Sequence, residues 1–251
     1  MSFYVVIPAR LASTRLPNKL LADIGGKPMI VRVAEQAAKS GASDIIVATD
    51  DQSIVDACTA HNVKAVLTRK DHVSGTDRIA EVASKMDWAD NATIVNVQGD
   101  EPLIDPALIA ATASLISDSV PMSTAAHALE APEDIFNPNY VKVVLDKNGR
   151  AMYFSRAAIP WYRDGYAKDE KQYPAQPALR HVGLYAFRND FLKMYSSLTV
   201  APMEQLESLE QLRVLWHGYP IAVHVTERIP EAGVDTQADL ERVRATFAKQ
   251  Q

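Results

Sequence analysis

The chain has 251 residues, of which 47% are apolar and 23% are charged, and its formal net charge at pH 7 is −5. This balance is typical of a globular protein with one large core and excludes a disordered or fibrous chain. The acidic total argues against a nucleic-acid partner, because such proteins normally carry a basic face.

The sequence also indicates a cellular compartment for the protein. Cys58 is the only cysteine, which excludes an internal disulfide and a cysteine-based zinc site. No apolar run approaches the roughly 20 residues of a membrane span, and the N-terminal segment lacks a signal-peptide core. We therefore expect a cytoplasmic protein without a membrane partner.

Short β-branched runs alternate with amphipathic stretches in the first hundred residues. They predict strands at residues 3–8, 44–49, 64–67 and 93–97, and helices at residues 29–40, 53–61 and 76–86. Strands this apolar are usually covered on both faces, which indicates a mainly parallel sheet with crossover helices. The predicted class is α/β, with ligands at the carboxyl ends of the strands.

After a helix at residues 106–117, the pattern changes to strands that follow each other closely. They are predicted at residues 122–128, 141–145, 151–154 and 181–187. This spacing indicates a small antiparallel extension, with residues 162–178 as a long loop. The chain then continues with a helix at 203–217, a strand at 221–225 and a last helix at 236–249, which Asp235 or Thr236 caps.

Three cations follow the first predicted strand within ten residues, namely Arg10, Arg15 and Lys19. Fixed cations at a strand's carboxyl end neutralise a triphosphate and stabilise the charge that develops during transfer. The alternative is a solvated basic loop. Residues 25–28 lack the spacing of a Walker A loop, and no G-x-G-x-x-G follows the strand, so neither a P-loop NTPase nor a dinucleotide dehydrogenase is favoured.

Two acidic turns supply candidate metal ligands. Asp100 follows an apolar strand, and Asp235 comes after the strand predicted at 221–225. Mg²⁺ prefers one or two carboxylates together with phosphate oxygens and water, so this pair would complete the protein's share of a site. For Asp235 the competing interpretation is a helix N-cap.

A turn of small residues precedes the helix predicted at 76–86. Ser74, Gly75 and Thr76 leave room for a nucleobase against the backbone, although Gly75 can simply permit a tight turn and Thr76 can simply cap the helix. The six histidines lack metal-binding spacing, and no G-x-S-x-G signature is present. The sequence therefore predicts no covalent intermediate.

Motifs along the whole chain carry a resemblance to a known family. They lie at residues 8–19, 72–78, 98–102, 137–144, 154–160, 180–183, 207–216 and 233–236. Together they resemble the CMP-Kdo synthetases, the 3-deoxy-manno-octulosonate (Kdo) cytidylyltransferases. The resemblance implies a Rossmann-like, glycosyltransferase-A type fold, usually homodimeric, that joins Kdo to CMP from CTP with Mg²⁺ in lipopolysaccharide precursor synthesis.

The resemblance also implies an arrangement of the chain. One nucleotidyltransferase domain would span residues 1–251. Within it, residues 1–120 would form mainly the CTP-binding half, residues 121–225 the sugar-binding and dimerisation part, and residues 226–251 the metal turn and closing helix.

Roles for single residues follow from the same resemblance. Arg10, Arg15 and Lys19 match the contacts to the CTP phosphates, and Asp100 and Asp235 match the Mg²⁺ ligands. Arg10, Lys19 and both aspartates are the implied catalytic group. The positions implied near the cytidine are Ser74, Gly75, Thr76 and Arg78.

The Kdo pocket implied by the resemblance consists of Gln98, Arg156, His181, Tyr185, Glu210 and Gln211, with Gln98 also reaching CTP. His181 is otherwise a structural histidine, and Glu210 and Gln211 are otherwise surface positions of a helix.

The sequence departs from the family pattern at one loop. The usual Leu-Pro-Gly-Lys-Pro-Leu is replaced at residues 16–21 by Leu-Pro-Asn-Lys-Leu-Leu. If the glycine has a positive φ, Asn18 is the least costly substitute, so we expect the loop to keep its shape.

Two rival interpretations remain at this stage. A nucleotidyltransferase for sialic acid or a neutral sugar phosphate would use the same phosphate loop and metal pair. A non-catalytic nucleotide-binding domain would keep the fold without the chemistry, but it has less need of Lys19 beside two acidic turns.

Overall fold

A computed structural model of the chain describes residues 2–11, 16–72, 74–169 and 171–249. Its contacts divide the chain into two compact units. Unit 1 comprises residues 1–114, 184–196 and 230–251, and unit 2 comprises residues 115–183 and 197–229. The single nucleotidyltransferase domain expected from the sequence stays a prediction.

Within the described residues the strands are β1 (Phe3–Ala9), β2 (Asp44–Thr49), β3 (Lys64–Leu67), β4 (Thr93–Asn96), β5 (Met122–Ala128), β6 (Lys142–Leu145), β7 (Ala151–Ser155), β8 (Leu179–Arg188) and β9 (Ile221–Thr226). The α-helices are α1 (Met29–Ala38), α2 (Gln52–Ala60), α3 (Gly75–Lys85), α4 (Pro106–Ser114), α5 (Arg163–Tyr166), α6 (Asn189–Tyr195), α7 (Pro202–Glu207), α8 (Gln211–Trp216) and α9 (Gln237–Ala248). Short 3₁₀ helices lie at Lys19–Leu21 and Pro132–Phe136.

Unit 1 is built on a mixed sheet with the strand order β3-β2-β1-β4-β8. The first four strands are parallel, and the end of β8 pairs antiparallel with β4. The crossover helices bury apolar faces, as α1 does with Met29, Ile30 and Val33. The predicted α/β class with a mainly parallel mixed sheet is confirmed, and the carboxyl ends of β1, β2 and β4 share one edge.

Unit 2 contains the predicted antiparallel extension. Strand β6 pairs antiparallel with β7 and with the start of β8, as the close spacing indicated. Strand β5 instead pairs in parallel with β9, which lies almost a hundred residues further along the chain. Sequence spacing did not indicate that second pairing.

The helix predicted at residues 203–217 is wrong as a continuous element. It is split into α7 and α8, and Ser208 between them has φ 51° and ψ 51°. This left-handed conformation costs about 1–2 kcal/mol. It is offset because the Glu207 carboxylate accepts hydrogen bonds from Ser155 and Arg156, and bonds to a charged group each contribute roughly 1.5–3 kcal/mol.

Two smaller differences concern short helices. The predicted loop at residues 162–178 contains the single-turn helix α5, and helix α6 was not predicted. None of the helices in the described part of the chain combines the length and the apolar character needed to cross a bilayer.

Candidate functional site

Three charged side chains converge at one edge of the unit 1 sheet. Nζ of Lys19 donates to Oδ2 of Asp100 at 2.7 Å and to Oδ1 of Asp235 at 3.2 Å. Burial lowers the pKa of Lys19, but the hydrogen bonds and charges of the two aspartates outweigh burial and leave that pKa raised. Lys19 therefore stays an ammonium group, and the two predicted metal ligands lie within reach of one cation.

Close backbone packing positions Asp100. Gly99 precedes it, and a Cβ at Gly99 would lie 3.0 Å from the carbonyl oxygen of Pro8, closer than nearly all real side chains come to such an atom. The N–H of Val234 donates to the carbonyl of Asp100 at 2.9 Å. The acidic turn after β4 is thereby tied to the turn that carries Asp235.

Asp235 is not the cap of the helix that follows it. Thr236 is the N-cap of α9, and its hydroxyl accepts from the N–H of Asp239 at 3.2 Å in a capping box. The Asp239 carboxylate in turn accepts from the N–H groups of Thr236 and Asp235. The competing interpretation of Asp235 is therefore disfavoured, because its own carboxylate faces Lys19.

Asn18 sets the start of the short helix that carries Lys19. It has φ 54° and ψ 27°, and its carbonyl accepts from the N–H of Leu21 at 2.9 Å. The expected positive φ at this position is confirmed. Asparagine tolerates that conformation better than other non-glycine residues because its short polar side chain bonds locally.

One more carboxyl lies beside this cluster. Burial, followed by repulsion from Asp100, raises the pKa of Glu101 to about 8, although part of its side chain remains accessible. In this structure Glu101 is therefore mainly neutral at pH 7 and adds little charge to the acidic pair.

An open cleft of about 590 Å³ lies beside the basic loop in unit 1, lined by Arg10, Leu11, Pro17, Asn18, Asp50, Asp51 and Lys70. Arg10 is exposed and donates to the carbonyl of His72 at 2.8 Å. Arg15, the third predicted phosphate contact, lies outside the described residues. The cleft volume is in the range of small-molecule sites.

The small-residue segment at residues 74–76 forms the start of α3 and is organised as a capping box. The Ser74 hydroxyl accepts from the N–H of Asp77 at 3.1 Å, so Ser74 rather than Thr76 caps the helix. A Cβ at Gly75 would be in ordinary contact with Pro8, and Thr76 is buried. The placement of this segment beside the nucleobase stays a prediction.

Arg78 is completely buried in α3. Its Nη2 donates to Oδ2 of Asp50 at 2.7 Å, and its Nη1 contacts the Thr68 hydroxyl. Arg78 thus presents no exposed cation and fixes a carboxylate that lines the cleft. Sequence reasoning missed Asp50, yet the signal was available, because Asp50 directly follows the carboxyl end of β2, at the edge of the sheet where ligands bind.

Two of the predicted sugar-pocket residues lie in unit 2, His181 on β8 and Arg156 directly after β7. His181 contacts the Thr124 hydroxyl through Nε2 at 2.9 Å and packs edge-on against Phe154. Burial lowers the pKa of His181 to about 3, so the ring is neutral at physiological pH. Arg156 follows β7, where Nε donates to the carbonyl of Glu207 at 2.7 Å.

The other four predicted pocket residues are distributed over both units. In unit 1, Gln98 is part-buried just after β4, and Tyr185 pairs with Asn96 across the sheet. In unit 2, Glu210 is exposed at the N-cap position of α8, whereas Gln211 is buried and is not a surface position. Their roles toward a sugar stay predictions.

The sequence model of one family, described as cytidylyltransferase, matches residues 4–229. The chain belongs to the cytidylyltransferase family. This cytidylyltransferase is 67% identical over 250 residues, 99% of its own length and 100% of the relative's, to a 3-deoxy-manno-octulosonate cytidylyltransferase of Herminiimonas arsenicoxydans.

Solved structures of two other proteins are similar to this cytidylyltransferase. A CMP:2-keto-3-deoxy-manno-octonic acid synthetase complexed with CTP matches over 100% of both chains, with a TM-score of 0.90 and 41% identity. A cytidylyltransferase from Leptospira borgpetersenii serovar Hardjo-bovis matches over 99% of this chain and 87% of its own, with a TM-score of 0.64 and 16% identity. The second likeness is one of fold alone.

Proposed function

We propose that the chain transfers CMP from CTP to the anomeric hydroxyl of Kdo and releases pyrophosphate. The observation that carries the proposal is the convergence of Asp100 and Asp235 on Lys19 at the strand ends of a cytidylyltransferase sheet. The full-length similarity to a Kdo cytidylyltransferase supports the choice of sugar. A merely nucleotide-binding domain is disfavoured because it needs no such set of charges.

The acidic pair fits a divalent metal ion. Both carboxylates lie within hydrogen-bonding distance of one Nζ, so they can also share one cation of smaller radius. No group of three or more histidine, cysteine or acidic side chains suited to a metal is found in the part of the chain that the structure describes. Two carboxylates with phosphate oxygens and water as the remaining ligands are the donor set typical of Mg²⁺.

Asp100 and Asp235 would hold the Mg²⁺, which supplies charge neutralisation at the phosphate oxygens when bound. Lys19 would then transfer its hydrogen bonds from the carboxylates to the triphosphate, together with Arg10 and Arg15. In the proposed reaction the anomeric oxygen of Kdo attacks the α-phosphorus in line, the bond from that phosphorus to the bridging oxygen breaks, and pyrophosphate leaves. Positioning and electrostatic stabilisation supply most of the rate enhancement.

The acidic sugar requires a cation and neutral hydrogen-bonding groups. Arg156 carries a guanidinium, a group able to pair with a carboxylate through two parallel hydrogen bonds. His181 offers a neutral ring. On the basis of the family resemblance, we also propose sugar-binding roles for Gln98, Tyr185, Glu210 and Gln211. A homodimer and a cytoplasmic location belong to the proposal on the same basis.

Pyrophosphate release by the purified chain with CTP and Mg²⁺ tests this function. We expect release with Kdo, none without a sugar, and little with sialic acid. Release with sialic acid but not Kdo would change the assigned sugar and keep the reaction. No release with any sugar would favour the binding-domain alternative.

A further inference from the structure

Charged side chains hold the backbone of Arg156 on both sides, a part-buried carboxylate and a buried ammonium group. Its N–H donates to Oε2 of Glu207 at 2.6 Å, and its carbonyl accepts from Nζ of Lys142 at 2.7 Å. Both main-chain polar groups of this one residue therefore bind an ionic side chain. Such bonds are stronger than ordinary ones between neutral groups.

The Arg156 side chain is held as well. Nε donates to the carbonyl of Glu207 at 2.7 Å, and Nη1 donates to the carbonyl of Pro138 at 3.0 Å. Neither acceptor is a carboxylate, so these two hydrogen bonds orient the guanidinium without neutralising its positive charge. The guanidinium is thus prepared for an anion from outside the protein.

Glu207 connects this arginine to the end of β7. Its carboxylate accepts from the Ser155 hydroxyl at 2.9 and 3.0 Å and from the Tyr153 hydroxyl at 3.3 Å, in addition to the Arg156 N–H. The helix break at Ser208 occurs directly after Glu207. The departure from helical geometry thus accompanies the contacts that orient Arg156.

Lys142 completes the arrangement from β6. Its side chain is fully buried, and Nζ donates to the carbonyls of Asn137 at 3.0 Å, Tyr140 at 2.6 Å and Arg156 at 2.7 Å. The three N–H groups of the ammonium therefore each have a carbonyl acceptor. Through these bonds, Lys142 connects the loop that contains Pro138 to Arg156. Burial lowers the pKa of Lys142, and the nearby Glu207 charge opposes that shift.

We propose that Glu207 and Lys142 are positioning residues that hold Arg156 in place for the carboxylate of the acidic sugar. The inference rests on the proposed function, because it presumes an anionic acceptor. The two residues act through Arg156 and do not themselves touch the reacting atoms. Substitution of either residue should therefore weaken sugar binding and leave CTP binding unchanged.

A matched control lies one helical turn before Glu207, on the same helix α7. Glu204 is buried and pairs with Arg213, with Nη2 to Oε1 at 2.5 Å and Nε to Oε2 at 2.9 Å. Its carboxylate also accepts from the N–H of Ala201 at 3.2 Å. Glu204 is thus a hydrogen-bonded carboxylate of the same helix whose partners are Arg213 and Ala201 and not Arg156.

The experiment measures steady-state pyrophosphate release by the full chain at varied Kdo and varied CTP. We expect Glu207→Gln to raise KM for Kdo about tenfold or more and to leave KM for CTP within about twofold, since one lost charge-assisted bond corresponds to roughly a factor of ten. Glu207→Asp, which keeps the charge at a shorter reach, should give an intermediate KM. Glu204→Gln should lower the thermal midpoint and leave both KM values unchanged.

A double-mutant cycle separates positioning from general loss of structure. If Glu207 acts through Arg156, then Glu207→Gln causes no further rise in KM for Kdo in an Arg156→Ala background. Lys142→Met is expected to raise KM for Kdo in the same way. If Lys142→Met fails to fold, the Glu207 variants and the cycle decide the outcome.

Failure of this inference can be distinguished from failure of the proposed function. Unchanged KM for Kdo in Glu207→Gln, an equal rise for both substrates, or full additivity with Arg156→Ala would each overturn this inference while the wild-type reaction stands. A wild-type chain that does not use Kdo at all would overturn the proposed function and this inference with it.

Discussion

Charged residues are used in opposite ways in the two units. In unit 1, Lys19 is bound by two carboxylates that remain 32% and 46% exposed, Asp100 and Asp235 respectively. In unit 2, Lys142 is 0% exposed and is bound by three backbone carbonyls. The first set can exchange its partners for a ligand because water and phosphate can reach it, whereas the second set is fixed to the main chain and maintains its shape.

The two units also differ in how burial affects the charge of an ionisable side chain. Around Lys19, paired charges keep the lysine protonated despite burial. In unit 2, burial lowers the pKa of His181 to about 3. Burial disfavours the charged form of both side chains, and the opposite charges close to Lys19 outweigh that effect.

Among the substitutions that test this comparison of the two units, Asp100→Asn has the largest expected effect. We expect kcat to fall by about 10³-fold or more, because a metal and phosphate site loses roughly 4 kcal/mol of charge stabilisation. Folding should survive, since Lys19 keeps Asp235 as a partner. Asp90→Asn serves as the control because Asp90 is an exposed carboxylate of unit 1 that pairs only weakly with Lys193 at 3.0 Å. Near-normal turnover in Asp100→Asn would remove Asp100 from the metal site.

The part-buried His181 gives a test by pH. The folded-state pKa of His181 lies near 3, below the ordinary value of about 6.5, so the unfolded chain binds the extra proton between these values. Its contribution to stability is fully present above pH ~6.5 and is lost as the pH falls toward 3, by at most about 1.4 kcal/mol per pH unit.

We expect His181→Gln to reduce this slope in urea unfolding between pH 6.5 and 5. His217→Gln is the matched change, because that ring is part-buried on unit 2, where it contacts the carbonyl of Thr199 and packs edge-on against Trp216. An unaltered slope in His181→Gln would show that the folded protein accommodates the protonated ring.

The smallest expected effect concerns the loop under Lys19. Asn18→Ala should lower the free energy of unfolding by about 1 kcal/mol, because alanine tolerates a positive φ less well than asparagine does. Asn18→Gly should cost less, since glycine adopts that conformation freely. The measurement is urea unfolding of the three proteins, and equal stability of the alanine and glycine variants would mean that φ does not limit this loop.

The sequence by itself determined the architecture of unit 1 and the identity of its charged groups. Buried β-branched runs separated by amphipathic helices predict a parallel sheet, and strand ends fix where the following residues lie. For this reason the turns carrying Asp100 and the basic loop could be assigned to one edge before the structure was known. The Asn18 conformation was also predictable, because it depends on local sterics.

Only the tertiary structure decided the break between α7 and α8, the parallel pairing of β5 with β9, and the roles of Asp50, Lys142 and Glu207. Residues 203–217 contain no glycine or proline, so local propensity favours one helix, and contacts with β7, some fifty residues away, override it. Lys142 looks like any strand lysine in the sequence, because the carbonyls that bind it come together only after folding. The hydrogen bonds from Glu207 and Lys142 to Arg156 join residues far apart in the chain, so they leave no local signal in the sequence.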